Sequence, residues 1–147
     1  MEYKFEHTGI TVNDIDRTID WYRTNFGFEI VAPPTKKPKL ELTLAKMRLG
    51  DFHLEIIQPY TPYLLLKSDD SEKGSSAERD CSAERDGLVE LLSKSGANHI
   101  ALSVDDVNQA YERLQQNKVP MVTEGVVDSK YFFCQDLDGV LIEVRQR

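Results

Sequence analysis

Two segments of the chain begin with histidine and then alternate between apolar and polar positions. They read HTGITVNDID from His7 and HIALSVDDVN from His99. Successive side chains of a strand face opposite sides of the sheet, so each segment is predicted to be a strand with one apolar face. Each histidine falls on the other face with small residues, which are Gly9 and Thr11 in the first segment and Ala101 and Ser103 in the second. We expect these small residues to leave room for a ligand.

A helical spacing of apolar residues follows each of these strands. The first helix is predicted to begin at Asp14 or Asp16, which are good N-cap residues, and to end at Gly27. The second helix is predicted to begin at Asp105 or Asp106 and to run to Val119, because Pro120 cannot continue a helix. A strand followed by a helix therefore occurs twice, which indicates an internal repeat.

Each half of the chain closes on a similar strand with glutamate in third place. The strings are HLEIIQ at 53–58 and LIEVRQ at 141–146, so Glu55 and Glu143 are each flanked by aliphatic residues and followed by a glutamine in sixth place. Burying a lone carboxylate costs several kcal/mol, and we therefore expect each glutamate to have a partner.

The repeated histidine and glutamate predict a metal site. Taken alone, a strand histidine is more often a core or surface residue than a ligand, and a lone glutamate near a chain end is usually solvated. Here both types recur at equivalent places in the two halves, and imidazole nitrogen with carboxylate oxygen suits a divalent cation. We predict that His7, Glu55, His99 and Glu143 hold one divalent ion. His53 shares the face of Glu55 but has no counterpart, and is predicted to line the pocket.

The bulk composition narrows the classes of partner. The 147 residues carry a formal charge of -7 with a pI near 5.0, which argues against a nucleic-acid partner because such binding depends on Lys and Arg. No stretch approaches the ~20 apolar residues of a membrane span, and the start of the chain lacks the pattern of a secretory signal. Cys81 and Cys134 form no CxxC pair, so any metal would have nitrogen and oxygen ligands. We expect a folded cytoplasmic protein that acts on a small molecule.

A segment of different character separates the two halves. The pentapeptide SAERD occurs twice within it, at 76–80 and 82–86, which is typical of an insertion. We predict a first module at 1–60, a linker or insertion at 61–94 and a second module at 95–147. The intervening segment is predicted to contain one short helix at 87–93 and to be a linker rather than a lid.

The motifs resemble those of the vicinal oxygen chelate superfamily, which includes glyoxalase I, methylmalonyl-CoA epimerase, extradiol dioxygenases and fosfomycin-resistance enzymes. The resemblance covers nearly the whole chain apart from 61–94. It is carried by HTGITVNDIDRTIDWYRTNFGFEI, LGDFHLEIIQP, HIALSVDDV and FFCQDLDGVLIEV. It implies an α+β fold of two tandem βαβββ modules, whose curled mixed sheets form a cup with the ion at its centre and the helices outside. It also implies a homodimer, since dimers are common in the superfamily.

The second metal ligand distinguishes the branches of that superfamily. Glyoxalase I has His, Glu, His and Glu, whereas the epimerase usually has Gln in second place, and the dioxygenases and fosfomycin enzymes use three protein ligands. Glu55 therefore favours the glyoxalase I branch. The resemblance then implies a metal-dependent lyase or isomerase, in which the ion polarises two vicinal oxygens of the substrate and Glu143 or Glu55 carries the proton. We expect Glu143 to be the base, and the ion to be nickel, cobalt, zinc or manganese.

Other positions depart from the glyoxalase I pattern and keep alternatives open. Bacterial glyoxalase I has an Arg and an Asn that contact glutathione where this sequence has Thr11 and Pro59, which argues against that thiol cofactor. An enzyme of the methylmalonyl-CoA epimerase type is the second candidate, with Glu41 as the nearest acid for its base. A metal-free drug-binding protein of the same fold and an iron-dependent dioxygenase are further alternatives. We expect Thr11, His53 and Ser103 to line the substrate pocket.

Overall fold

The computed structural model describes residues 6–61, 97 and 99–147. The chain divides into two compact units, Met1–Gly74 and Ser75–Arg147. Each unit has its own sheet and its own helix. The predicted helix at 87–93 and most of the predicted linker at 61–94 lie outside the described residues, and the predicted module boundaries stay a prediction.

The first unit is a four-stranded mixed sheet with one helix packed against it. Its first and last strands are parallel neighbours, and the remaining neighbours are antiparallel, in the order β1-β4-β3-β2. The elements are β1 (Thr8–Thr11), α1 (Ile15–Phe26), β2 (Glu29–Lys37), a 3-10 helix (Pro38–Leu40), β3 (Leu42–Leu49) and β4 (Phe52–Pro59).

The second unit repeats this plan with a smaller sheet. Its elements are β5 (Ile100–Val104), α2 (Val107–Gln116), β6 (Tyr131–Gln135) and β7 (Leu141–Gln146). The strand order is β5-β7-β6, with β5 and β7 parallel and β6 and β7 antiparallel. The two small mixed sheets confirm the predicted α+β class.

The second unit differs from a full βαβββ module in the segment between α2 and β6. In the described residues its sheet has three strands, and that segment makes only two isolated bridges, Met121 with Cys134 and Val127 with Tyr131. A regular ladder cannot form there, because Gly125, Asp128 and Ser129 all have positive φ angles, which an extended strand does not allow.

The core of each unit lies between its helix and the face of the sheet that carries no acidic residue. In the first unit, α1 packs against β2, β3 and β4, and Leu54 and Ile56 of β4 are both 0% exposed. In the second unit, α2 packs against β6 and β7, and Tyr111 makes an edge-to-face contact with Phe132 at 5.2 Å between ring centroids. No helix among the described residues has the length and hydrophobicity needed to span a bilayer.

The start of each helix agrees with the sequence-based prediction, and so does the end of the first. The side chain of Asp14 accepts a hydrogen bond from the backbone N–H of Arg17, and that of Asp106 does the same for Gln109. These are N-caps, which satisfy backbone donors left free in the first turn. Helix α1 stops at Gly27, whose φ of 76° lies in the left-handed region where glycine is strain-free.

Helix α2 ends at Gln116, three residues before the predicted end at Val119, so that prediction was wrong. Lys118 adopts a left-handed conformation with φ 57°. Its backbone N–H donates to the carbonyl of Gln115 at 2.9 Å, and the N–H of Val119 donates to that of Leu114 at 3.0 Å. This is a Schellman motif, which turns Val119 into the core before proline is reached.

Lys118 is expected to limit stability, because the left-handed conformation strains any residue with a Cβ. Lys118→Gly should raise the free energy of unfolding by about 0.5–1 kcal/mol relative to Lys118→Ala, which loses the same side chain but keeps the strain. Urea denaturation of the two variants measures this difference. A Gly variant no more stable than the Ala variant would contradict it.

Cys134 lies in the core of the second unit and is expected to be unreactive. Burial in β6 raises the pKa of its thiol to about 12, and the carboxylate of Asp136 adds to the effect. Only the thiolate attacks a disulfide reagent, so at pH 8 the folded protein should react very slowly. In a Cys81→Ser background, an aromatic disulfide reagent should label the chain only after denaturant is added. Prompt labelling of the folded protein would contradict the burial of this thiol.

Candidate metal centre

The first unit brings His7 next to Glu55. Because β1 and β4 are parallel with Gly9 opposite Glu55, the residue two places before Gly9 lies on the same face as the carboxylate. The Nε2 atom of His7 is 3.7 Å from Oε2 of Glu55. The Glu55 side chain is 16% exposed, which leaves it reachable although it sits between two fully buried aliphatic neighbours.

The second unit repeats the arrangement with His99 and Glu143. Here β5 and β7 are parallel with Ala101 opposite Glu143, so the histidine again lies two places before the residue facing the glutamate. The Nε2 atom of His99 is 3.3 Å from Oε2 of Glu143, whose side chain is 14% exposed. The strand faces predicted from the alternating pattern are thus confirmed in both units.

A glutamine ties each of these strands to the helix of its unit. The side-chain oxygen of Gln58 accepts a hydrogen bond from the N–H of Ile15 at 2.9 Å, and that of Gln146 accepts one from Val107 at 3.1 Å. Both donors are the first residues of their helices, whose N–H groups have no partner within the helix. The glutamine three residues after each glutamate therefore fixes the strand relative to its helix. This role is not visible in the sequence alone.

Each glutamate also has a cation on its other oxygen. Nζ of Lys46 is 3.6 Å from Oε1 of Glu55, and Nη1 of Arg145 is 3.8 Å from Oε1 of Glu143. Arg145 lies two residues after Glu143 on β7, so strand alternation places both on one face. Lys46 was missed, and the register of the tight β3–β4 hairpin would have placed it, since it lies directly opposite Glu55.

The donor atoms of each pair fit a divalent cation. Two donors that share an ion at about 2.1 Å lie about 3.0–3.4 Å apart, depending on the coordination angle. The 3.3 Å of the His99 and Glu143 pair falls in that range, and the 3.7 Å of the His7 and Glu55 pair needs a shift of a few tenths of an ångström. Nδ1 of His7 contacts Oε2 of Glu6, an arrangement that leaves Nε2 as the coordinating nitrogen. Within the described part of each unit, no group of three or more His, Cys, Asp or Glu side chains is assembled.

The residues predicted to line a pocket share the faces of these pairs. Thr11 and Ser103 are exposed near the ends of β1 and β5, and His53 is half-buried two residues before Glu55. Glu41 does not lie on a strand. It occupies the exposed turn before β3, with φ 54° and its backbone paired with Pro38.

A cluster of apolar side chains beside Glu143 was also not predicted from the sequence. Val122, Phe133 and Leu141 are buried together, with Tyr131 packed against them. Phe133 lies directly opposite Glu143 in the sheet and makes an edge-to-face contact with the ring of His99, at 5.7 Å between centroids. The second pair is thus bordered by aromatic side chains, whereas the first has Lys46 in the same position.

Comparison with known proteins gives relatives of different activities. Lactoylglutathione lyase of Pseudomonas putida is 27% identical over 166 residues, covering 99% of this chain and 86% of that protein. The mitochondrial methylmalonyl-CoA epimerase of Bos taurus is 23% identical over 149 residues, covering 97% of this chain and 74% of that protein.

Solved structures give the same fold. The trypanothione-dependent glyoxalase I of Leishmania major aligns with a TM-score of 0.66 at 23% identity, covering 99% of this chain and 87% of that one. A fosfomycin resistance protein from Listeria monocytogenes aligns with a TM-score of 0.62 at 15% identity, covering 100% and 93%. At these identities the likeness concerns the fold alone.

The family itself is established by a match along nearly the whole chain. The family model of the Glyoxalase/Bleomycin resistance protein/Dioxygenase superfamily matches residues 4–144. The match includes His7, Glu55, His99 and Glu143. The chain therefore belongs to the Glyoxalase/Bleomycin resistance protein/Dioxygenase superfamily.

Proposed function

We propose that this protein is a metal-dependent lyase or isomerase of the glyoxalase I type, which transfers a proton on a small substrate bound through vicinal oxygens. The observation that carries the proposal is the recurrence of one histidine and glutamate pair, at the same strand register, in both units. The proposed ligands of a single divalent ion are His7, Glu55, His99 and Glu143. The proposal requires the two pairs to meet around one ion, either within a chain or across a homodimer.

The ion would be nickel, cobalt, zinc or manganese, because all four accept two imidazoles and two carboxylates. When bound, it would draw electron density from two neighbouring oxygens of the substrate and so make the adjacent carbon-bound proton more acidic. The two histidines would hold the ion, since neutral imidazole serves as a ligand without adding charge.

The glutamates would have a second role as carriers of the proton. A carboxylate within reach of the substrate can take a proton from one carbon and return it to the next. Glu143 is the proposed base, with Glu55 as the other candidate. Both are partly buried, and the partial exclusion of water helps a carboxylate to act as a base. Thr11, His53 and Ser103 are the proposed lining of the substrate pocket.

An epimerase of the methylmalonyl-CoA type is the second candidate, supported by the similarity to the bovine epimerase over 97% of this chain. Glu41, the nearest acid for its base, lies in an exposed turn rather than on the face of Glu55. A carboxylate at position 55 favours the glyoxalase I type instead. A metal-free binding protein and an iron-dependent dioxygenase remain as outcomes of the tests.

The protein prepared without chelator is expected to bind about one divalent ion per chain, as the shared-ligand arrangement requires. Elemental analysis and calorimetric titration with nickel, cobalt, zinc and manganese measure the stoichiometry. His7→Ala and His99→Ala should each weaken binding at least tenfold, because each removes a proposed ligand.

Glu112→Gln, on the exposed surface of α2, is the control for these titrations and should bind like the wild type. If the wild type takes up none of the four ions, the catalytic proposal fails and the binding-protein reading is favoured.

Glu143→Gln is expected to lower turnover by a factor of about 10²–10⁴, the range that a positioned proton carrier contributes. The substitution keeps the size of the side chain, so the fold should persist by circular dichroism. The assay uses metal-loaded protein with hemithioacetals, a methylmalonyl thioester, catechols and fosfomycin, and the substrate that is turned over identifies the reaction. Full activity of this variant would exclude Glu143 as the proton carrier.

A further inference from the structure

The two oxygens of Glu55 face different partners. Oε2 lies toward the imidazole of His7 at 3.7 Å, while Oε1 lies toward the ammonium of Lys46 at 3.6 Å. Lys46 reaches this position from the neighbouring strand, where it is the residue directly opposite Glu55. One oxygen is therefore directed to the proposed metal ligand, and the other is held by a positive charge.

The two oxygens of Glu143 also face different partners, but the cation comes from a different position in the unit. Oε2 of Glu143 lies toward His99, and its Oε1 lies toward Arg145, which is two places further along the same strand. The position that corresponds to Lys46 in the second unit is Phe133, which carries no charge. The two units thus obtain a cation for the same oxygen from different strands, which a simple copy of the repeat does not explain.

An ordinary surface ion pair does not account for this arrangement. Exposed pairs contribute little to stability, and nearby Arg48 forms one with Glu29 through two hydrogen bonds, at 3.1 and 2.9 Å. Lys46 instead approaches a carboxylate that is 16% exposed, on the face of the proposed metal ligands. A cation placed there repels a divalent ion, so it lowers the affinity of the site for metal.

We propose that Lys46 is a positioning residue that holds Oε1 of Glu55, so that this glutamate binds the ion through Oε2 alone and leaves a coordination position for the substrate. The inference rests on the proposed function, because it needs a metal ion at Glu55. Carboxylates bind divalent ions through one oxygen or through both, and their outer contacts decide between the two modes. The consequence is a site that binds metal less tightly than its ligands would allow.

The test is a titration of the full-length wild type and Lys46→Met with zinc or cobalt alone. Met keeps most of the length of the side chain and removes the charge. The variant is expected to bind the ion about tenfold more tightly, the effect of removing one nearby charge in a largely solvated setting. The visible absorption of bound cobalt should also weaken, because a second carboxylate oxygen raises the coordination number.

Two further variants distinguish the positioning of Glu55 by Lys46 from a general effect of charge on metal affinity. Arg48→Met removes a positive charge from the same strand and face, but that charge is paired with Glu29. The metal affinity of this variant should therefore stay within about twofold of that of the wild type. Lys46→Arg keeps the charge, so this variant should show the metal affinity and the cobalt spectrum of the wild type.

Three results would overturn the inference. Lys46→Met could bind metal like the wild type or more weakly, or Arg48→Met could tighten binding as much as Lys46→Met does, which would indicate a general effect of charge. A wild type that binds no ion would refute the proposed function, and the inference would fall with it. The wild-type titration therefore distinguishes failure of the function from failure of the role of Lys46.

Discussion

The candidate metal centre depends on the parallel pairing of the first and last strands within each unit. That pairing places Gly9 opposite Glu55 and Ala101 opposite Glu143. A histidine two residues earlier then lies on the same face as the carboxylate, because side chains in a strand alternate with a period of two. A shift of one residue in either pairing would turn the glutamate into the core and leave the histidine without its partner.

The register of these strands is fixed by interactions at both ends. Fully buried aliphatic residues on either side of each glutamate exclude the alternative register, since it would place a carboxylate against the helix. At the far end, Gln58 and Gln146 bond to the first N–H of helices α1 and α2. Strand, helix and carboxylate are therefore held together by contacts that both halves of the chain share.

The parts of the structure that were predictable from sequence are those that depend on neighbours along the chain. Alternation of apolar residues gave the strand faces, and the caps Asp14 and Asp106 gave the helix starts. The family fold followed from motifs that recur in both halves.

The features that the sequence did not reveal depend on contacts across strands or on unusual backbone conformations. The pairing of Lys46 with Glu55 depends on the hairpin register, which places the two residues directly opposite each other. The early end of α2 depends on a lysine in a left-handed conformation, where glycine is the usual residue. In the described residues the second sheet has three strands, because Gly125, Asp128 and Ser129 depart from the extended backbone in the segment before β6.

Fold stability alone does not explain the two carboxylates. Glu55 and Glu143 each lie between aliphatic neighbours that are at most 1% exposed, and each is paired with a cation. The cations are well exposed, Lys46 at 37% and Arg145 at 57%, and exposed ion pairs contribute little, so stability alone does not favour these pairs. A protein that only bound an apolar drug would need no acid at either position. The same histidine and acid recur at one register in both units, which supports the proposed divalent ion, whereas the neighbouring cation comes from a different strand in each unit and would oppose metal binding.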